Sequence, residues 1–235
     1  MLFRSKSKLL SVQFLTIGRF MKIDPDQRTH PQQPNACGGY ALASVLPGQV
    51  SRPEGSVIYA EIQAVQVNYK SKPVPPTSIV PPTAREHYLS AFVLPYLDPV
   101  AKSTVPHEMN LPSAIAIVAS KHNCSVKVCC NQKQLEPKFK KFGTLYADEI
   151  ASIKASPGVS LDDRVLKYEL PKTEDEAHLV LVNLVHWVAV DRDGSDNTIY
   201  DPGSPDKKGS PTIIKAGLPL HLKYSDLYIE LRAKP

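Results

Sequence analysis

The stretch that decides the fold is "VHWVAVDRDGSDNTIYDPG", residues 185–203. Its first part, VHWVAVD, is rich in β-branched and aromatic residues, which favour strands. The polar run RDGSDN interrupts this pattern and TIYD resumes it. Because an Asp-Gly pair between two such segments is a strong hairpin signal, the sequence predicts two antiparallel strands joined by a turn centred on Asp193-Gly194.

The predicted hairpin brings a carboxylate beside an imidazole. With the turn at that position, His186 lies directly opposite Asp201 on the same face of the sheet, with Cβ atoms about 5 Å apart. Asp201 would then fix the tautomer of His186 and raise its basicity. Trp187 points to the opposite face and is predicted to lie in the core. Asp191 and Asp193 are predicted to be solvated turn residues.

The rest of the chain predicts helices early and strands late. The clearest helix lies in "NLPSAIAIVASKHN", residues 110–123, with Asn110 as a cap and Pro112 in the first turn. This order of elements favours an α+β fold over a doubly wound α/β fold. The other predicted elements are strands in 124–130 and 178–184, helices in 84–97 (interrupted by Pro95) and 146–156, and a last strand or helix in 221–233.

Proline clusters suggest how the chain is organised. The 235 residues include 22 prolines, close to twice the usual fraction of ~5%. Residues 71–83, "SKPVPPTSIVPPT", predict an extended connector. Residues 1–30 are predicted to be an N-terminal extension, either targeting or flexible. Residues 31–235 are predicted to form one domain, with a helical lobe over about 31–123 and a β-rich lobe over about 124–235.

Charge and hydropathy argue against two classes of partner. The net charge of +5 is mild, and no basic run with interleaved aromatic residues predicts a nucleic-acid groove. The apolar run "LLSVQFLTIG", residues 9–18, is shorter than the ~20 residues of a membrane span. The run also lacks the cleavage site of a signal peptide. The sequence leaves open whether the protein is cytoplasmic, secreted or injected into a host cell, and what its oligomeric state is.

Three of the four cysteines predict ordinary strand packing. Cys129 and Cys130 are adjacent, which is poor geometry for a disulfide, and Cys124 lies close by in the same predicted strand. No spacing of Cys and His is typical of a zinc site. We therefore expect reduced thiols, no metal and no cofactor.

The fourth cysteine lies in a different setting, "QQPNACGGYALASVLPG", residues 32–48. The pattern predicts a helix with Asn35 as cap and Cys37 in the first turn, where the helix dipole favours a thiolate. Gly38 and Gly39 would let another strand or a substrate backbone approach the thiol. The alternative is a small buried hydrophobe, since most cysteines at such positions are structural.

Cys-Gly at a helix start after an upstream Gln, followed far along the chain by "HWVAV" and "IYDPG", resembles the papain-like cysteine peptidases. The chain is most similar to the bacterial branch that includes double-glycine leader peptidases, staphopain-like enzymes and secreted effector proteases or deamidases. The separation of Cys37 and His186 falls within the ~130–150 residues typical of papain-type enzymes. The resemblance covers residues 32–46 and 184–203 and carries no information about the substrate.

The resemblance implies a papain-like fold, with the active site in a cleft between the helical lobe and a C-terminal antiparallel sheet. It implies Cys37 as nucleophile, His186 as general base and later acid, and Asp201 as the residue that orients His186. It also implies a glutamine that donates its amide to the oxyanion. Gln32 is the first choice for this role and Gln33 the second, because the family's glutamine lies one residue further upstream, where this chain has a proline.

Three hypotheses about function follow. The first is a thiol-dependent amide hydrolase, with a protein or peptide as substrate and possible use as a bacterial effector. The second is a glutamine deamidase or a transglutaminase-like acyltransferase on the same three residues, because "H-W-V-x-V…D-P" also resembles transglutaminases. The third is a catalytically inactive binding protein with a papain-like fold.

Overall fold

The structure is a computed structural model that describes residues 21–23, 36–47, 54–70, 110–139, 145–183, 186–203, 212–214 and 217–234. Several predictions lie outside these residues: those for Gln32 and Gln33, the connector 71–83 and the helix in 84–97.

The described residues form a mixed α+β fold, as predicted. The helices are α1 (Cys37–Val45), α2 (Gly55–Lys70), α3 (Pro112–Lys121), α4 (Gln132–Phe139) and α5 (Leu145–Ala155). The strands are β1 (Cys124–Cys130), β2 (Val159–Asp162), β3 (Glu176–Val182), β4 (His186–Asp193), β5 (Asp196–Tyr200), β6 (Thr212–Ile214) and β7 (Tyr224–Ala233).

In the described part of the chain, seven strands form one sheet in the order β2-β1-β7-β3-β4-β5-β6. All neighbouring pairs are antiparallel except β1 and β2, which run parallel. The prediction of a purely antiparallel sheet is therefore wrong at one edge. The reason is the connection: α4 and α5 lie between β1 and β2, and parallel neighbours need a crossover of this length.

The main hydrophobic core lies between helices α1 to α3 and one face of the sheet. Trp187 is fully buried in this core, as predicted, beside inward-facing residues of β3 and β7 such as Leu179 and Ile229. A second, smaller cluster on the opposite face includes Val180 and Val188 and is covered by the coil segments that precede β3 and β7. Both faces of the sheet are thus covered, which explains the unbroken burial of β3.

The β4–β5 hairpin is present, but its register differs from the predicted one. Asp193 pairs with Asp196, so the turn consists of Gly194 and Ser195, with Gly194 at φ +62°. A tight two-residue turn with a glycine at positive φ matches the twist of the strands, and this preference sets the register. The shift relative to the predicted pairing is two residues. Because side chains alternate with period two, the same residues still share a face.

Two aspartates of the hairpin differ in environment. Asp191 is only 2% exposed, so the prediction that it is solvated is wrong. Its carboxylate accepts hydrogen bonds from the Ile23 N–H (2.6 Å) and from the Thr198 hydroxyl. Asp193 is exposed and pairs with Lys22. Residues 21–23, which the sequence-based boundaries assign to the N-terminal extension, therefore pack against the sheet.

Helix α1 is buried on every side, since all nine of its residues are buried. The two glycines in its first turn allow this packing. A Cβ on Gly39 would lie 2.6 Å from the Tyr59 Cβ, and one on Gly38 would lie 2.5 Å from the Asn110 Oδ1. The space that we predicted for a strand or a substrate is instead filled by α2 and by Asn110, so that prediction is wrong.

Gly39→Ala tests this close packing through the sign of its effect. At an exposed helix position, replacing Gly by Ala stabilises the protein by up to ~1 kcal/mol, because Ala has the higher helix propensity. Here the new methyl group would overlap Tyr59, so we expect the free energy of unfolding in urea to fall by about 1–3 kcal/mol. Ala60→Gly on the exposed side of α2 is the control for the propensity effect. A Gly39→Ala protein as stable as the wild type or more so would contradict the packing.

Candidate active site

Cys37 is the first residue of α1 and is 4% exposed. The structure places the N-cap at Ala36, and the predicted cap, Asn35, lies outside the described residues. The N–H groups of the first turn have no partner within a helix. One of them, on Gly39, donates to the Asn110 Oδ1 at 3.2 Å. Cys37 thus lies at the positive end of the helix dipole.

His186 begins β4, and Asp201 follows the last residue of β5. Their side chains are in contact as predicted, with the His186 Nε2 2.6 Å from the Asp201 Oδ1. The backbone N–H of Gly203 donates to the same carboxylate oxygen at 2.9 Å. The Asp-Pro-Gly turn therefore holds the carboxylate in place while the carboxylate orients the ring.

The Cys37 thiol lies near the His186 imidazole and helps to raise its pKa. Because Asp201 occupies Nε2, Nδ1 is the ring nitrogen left for the thiol. Burial lowers the pKa of His186, but the hydrogen bonds and charges of Asp201 and Cys37 outweigh it and raise the pKa to about 9. The imidazole is therefore protonated at neutral pH.

The Asp201 carboxylate shows the complementary effect. Burial raises its pKa, but the hydrogen bond and charge of His186, together with the Gly203 N–H, lower it below the ordinary value of 3.8. Both partners are partly accessible, with side-chain exposures of 21% for His186 and 18% for Asp201. An ionised carboxylate and a protonated imidazole thus form a partly buried ion pair next to the thiol.

The other cysteines have a different environment. Cys124, Cys129 and Cys130 are fully buried on β1, and all four cysteines are free thiols. Burial raises the pKa of Cys124 to about 12 and that of Cys129 to about 11. Complete burial keeps all three thiols from reagents, and the raised pKa of Cys124 and Cys129 disfavours their reactive thiolate forms. They therefore serve as internal references for the reactivity of Cys37.

One group of potential metal ligands occurs among the described residues, namely Glu176, His178 and Glu230. Its charges are already compensated, because Glu176 pairs with Arg232 at 3.1 Å and Glu230 pairs with Lys127 at 2.7 Å. His178 contacts Glu176 at 2.7 Å. A metal ion would have to displace both cations, so this group is best described as an ion-pair network with largely buried acidic groups and exposed cations.

The structure brings together three of the residues predicted for the site: Cys37, His186 and Asp201. The predicted oxyanion donors, Gln32 and Gln33, lie outside the described residues. Sequence reasoning missed two residues that touch the site, Gly203 and Asn110. A Cβ on Gly203 would lie 2.9 Å from the His186 Cε1, so this glycine makes room for the imidazole. Gly203 directly follows Asp201-Pro202 in the sequence, and this position could have indicated that it lies near the site.

Asn110 was predicted to cap α3, and that prediction is wrong. The N-cap of α3 is Leu111, and the Asn110 side chain turns instead toward the first turn of α1. Asn110 and its partner Gly39 lie 71 positions apart in sequence, so no local pattern could have revealed the contact.

Comparisons with known proteins do not assign the chain to a family: no family model, curated protein or solved structure matches it. Among the described residues, no helix combines the length and the apolar character needed to cross a membrane.

The raised pKa of His186 predicts how stability depends on pH. The protonated His186 ring adds to the free energy of unfolding. This added stability is fully present below the ordinary pKa of 6.5 and is lost as the pH rises through about 9. We expect the free energy of unfolding to fall by on the order of 2 kcal/mol across this interval. Asp201→Asn removes the negative partner, so the pKa of His186 moves toward 6.5. The free energy of unfolding then depends less steeply on pH.

Urea unfolding at several pH values, together with an NMR titration of His186, measures this effect. Asp193→Asn is the matched control, because it neutralises an exposed carboxylate of the same hairpin whose partner is Lys22. The control should retain the wild-type slope. An Asp201→Asn protein with the same slope and the same His186 titration as the wild type would contradict the assignment.

Proposed function

We propose that this chain is a cysteine-dependent amide hydrolase with a papain-like fold that acts on protein or peptide substrates. The observation that carries the proposal is the 2.6 Å contact of His186 with Asp201 beside Cys37, which begins a buried helix. A nucleophile, a base and a residue that orients the base are the parts that thiol-dependent acyl transfer requires.

In the proposed reaction, the Cys37 sulfur attacks the carbonyl carbon of the substrate amide and the carbonyl oxygen becomes an oxyanion. The backbone N–H of Cys37 is one donor for that oxyanion, and Gln32, with Gln33 as second choice, is proposed as the other. The His186 imidazolium gives its proton to the leaving amine as the C–N bond breaks. The product of this half-reaction is a thioester on Cys37.

The second half-reaction releases the acyl group. Neutral His186 takes a proton from water, whose oxygen attacks the thioester carbon. The C–S bond then breaks, which frees the carboxylic acid and restores the thiolate beside the imidazolium. Throughout, Asp201 keeps Nε2 occupied, so that Nδ1 remains directed at the thiol and the substrate.

A second candidate uses the same three residues on a side-chain amide. If the acyl group comes from glutamine, ammonia leaves in the first half-reaction. Water then completes a deamidation, or a lysine amine completes a transglutamination. The third candidate is an inactive binding protein, in which the His186–Asp201 ion pair beside Cys37 would have no catalytic role. We place the enzyme in a bacterial effector role on the basic N-terminal sequence, by analogy alone.

Proteome comparison tests the proposal. The full chain and a Cys37→Ala variant are each incubated with a cell lysate, and the peptides are compared by mass spectrometry. We expect new peptide termini that depend on Cys37. A Cys37-dependent mass increase on glutamine, or Cys37-dependent cross-links, would overturn hydrolysis of the backbone in favour of the second candidate.

Cys124→Ala is the matched control, because it removes a thiol that is buried on β1. We expect this variant to give the same peptides as the wild type. Identical lysates after treatment with wild type and Cys37→Ala would contradict the enzyme hypothesis.

A further inference from the structure

We infer that Asn110 is a positioning residue that holds the start of α1, and with it Cys37, in register with the strand that carries His186. The inference concerns the alignment of the two groups, and it rests on the proposed function only for the chemistry that this alignment serves.

The side chain of Asn110 is fixed to the turn that carries the nucleophile. It is fully buried, and its Oδ1 accepts the Gly39 N–H at 3.2 Å. A Cβ on Gly38 would lie 2.5 Å from the same oxygen. The amide group therefore packs directly against the two residues that follow Cys37, and it satisfies one of the N–H groups that the helix itself leaves unpaired.

The backbone of Asn110 is fixed to the strand that carries the base. Its carbonyl oxygen accepts the Trp187 Nε1–H at 2.9 Å, and Trp187 is fully buried. Trp187 directly follows His186 in β4. One buried residue thus bonds to the helix of the nucleophile through its side chain and to the strand of the base through its main chain.

The segment around Asn110 is itself anchored. The next N–H, on Leu111, donates to the Gln66 Oε1 of α2 at 3.1 Å. Helix α3 begins one residue later, at Pro112. Asn110 therefore belongs to a fixed part of the fold and can transmit that fixed geometry to both catalytic elements.

Stability alone does not account for an asparagine at this position. Its Nδ2 is buried and has no hydrogen-bond partner. An unsatisfied buried donor costs about 1–3 kcal/mol. The benefit that offsets this cost is the contact of Oδ1 with the Gly39 N–H, which orients the first turn of α1.

Asn110→Ala removes the acceptor and should loosen the first turn of α1. Cys37 would move relative to His186 and raise its pKa less, so the pKa of His186 would fall from about 9. We expect alkylation of Cys37 by iodoacetamide at neutral pH to slow by ~10-fold, which is the equivalent of about one hydrogen bond. Peptide mass spectrometry measures the alkylation, and NMR measures the titration of His186 in the full chain.

Ser113→Ala is the matched control. Ser113 is also fully buried, lies three residues further along the chain and loses a 2.9 Å hydrogen bond to Glu149 on substitution. If burial and stability were all that mattered, both variants would behave alike. We expect Ser113→Ala to leave the alkylation rate and the His186 titration unchanged. Wild-type values for both measurements in folded Asn110→Ala would overturn the inference.

Trp187→Phe keeps the inference testable if Asn110→Ala does not fold. This substitution removes the Nε1 donor to the Asn110 carbonyl and retains an aromatic ring in the core. We expect slower alkylation of Cys37 and a lower pKa of His186, and unchanged values would overturn the inference. None of these assays uses an amide substrate. A lysate in which nothing is cleaved would therefore remove the proposed function and leave this result standing.

Discussion

The burial of the first turn of α1 is the constraint on which the site depends. A helix that is covered on all sides can have only one position, and its first residue, Cys37, is fixed with it. Gly38 and Gly39 make this possible, because any side chain there would overlap Asn110 or Tyr59. The start of α1 therefore lies at the junction of the helices and β4. Packing positions Cys37, and the positive end of the helix dipole lies beside it.

The other half of the site depends on side-chain alternation more than on exact pairing. The predicted register of the β4–β5 hairpin is wrong by two residues, yet the contact between His186 and Asp201 forms at 2.6 Å. A shift by an even number preserves the face on which each residue lies. Asp201 lies just beyond the end of β5, where its carboxylate is free to turn toward the imidazole and accept the Gly203 N–H.

Local patterns explain how much of this could be predicted. The sequences of β1, α3, α5 and the hairpin carry clear periodicity or turn signals, and these elements are confirmed. Helix α2 was missed because it begins with glycine and carries β-branched residues at Val57 and Ile58, so its stability comes from packing on α1 and not from propensity. The parallel pairing of β2 and the contacts of Asn110 join residues far apart in sequence. No local pattern encodes such contacts.

Relative thiol reactivity is the most direct test of the central claim that Cys37 is an activated nucleophile. The wild-type chain and His186→Ala are treated with a limiting amount of iodoacetamide at neutral pH, and each cysteine is quantified by peptide mass spectrometry. We expect Cys37 to be modified well before Cys124, Cys129 and Cys130, and this preference to disappear largely in His186→Ala. If Cys37 in the folded wild type reacts no faster than the buried cysteines of β1, or equally fast without His186, Cys37 is not an activated nucleophile.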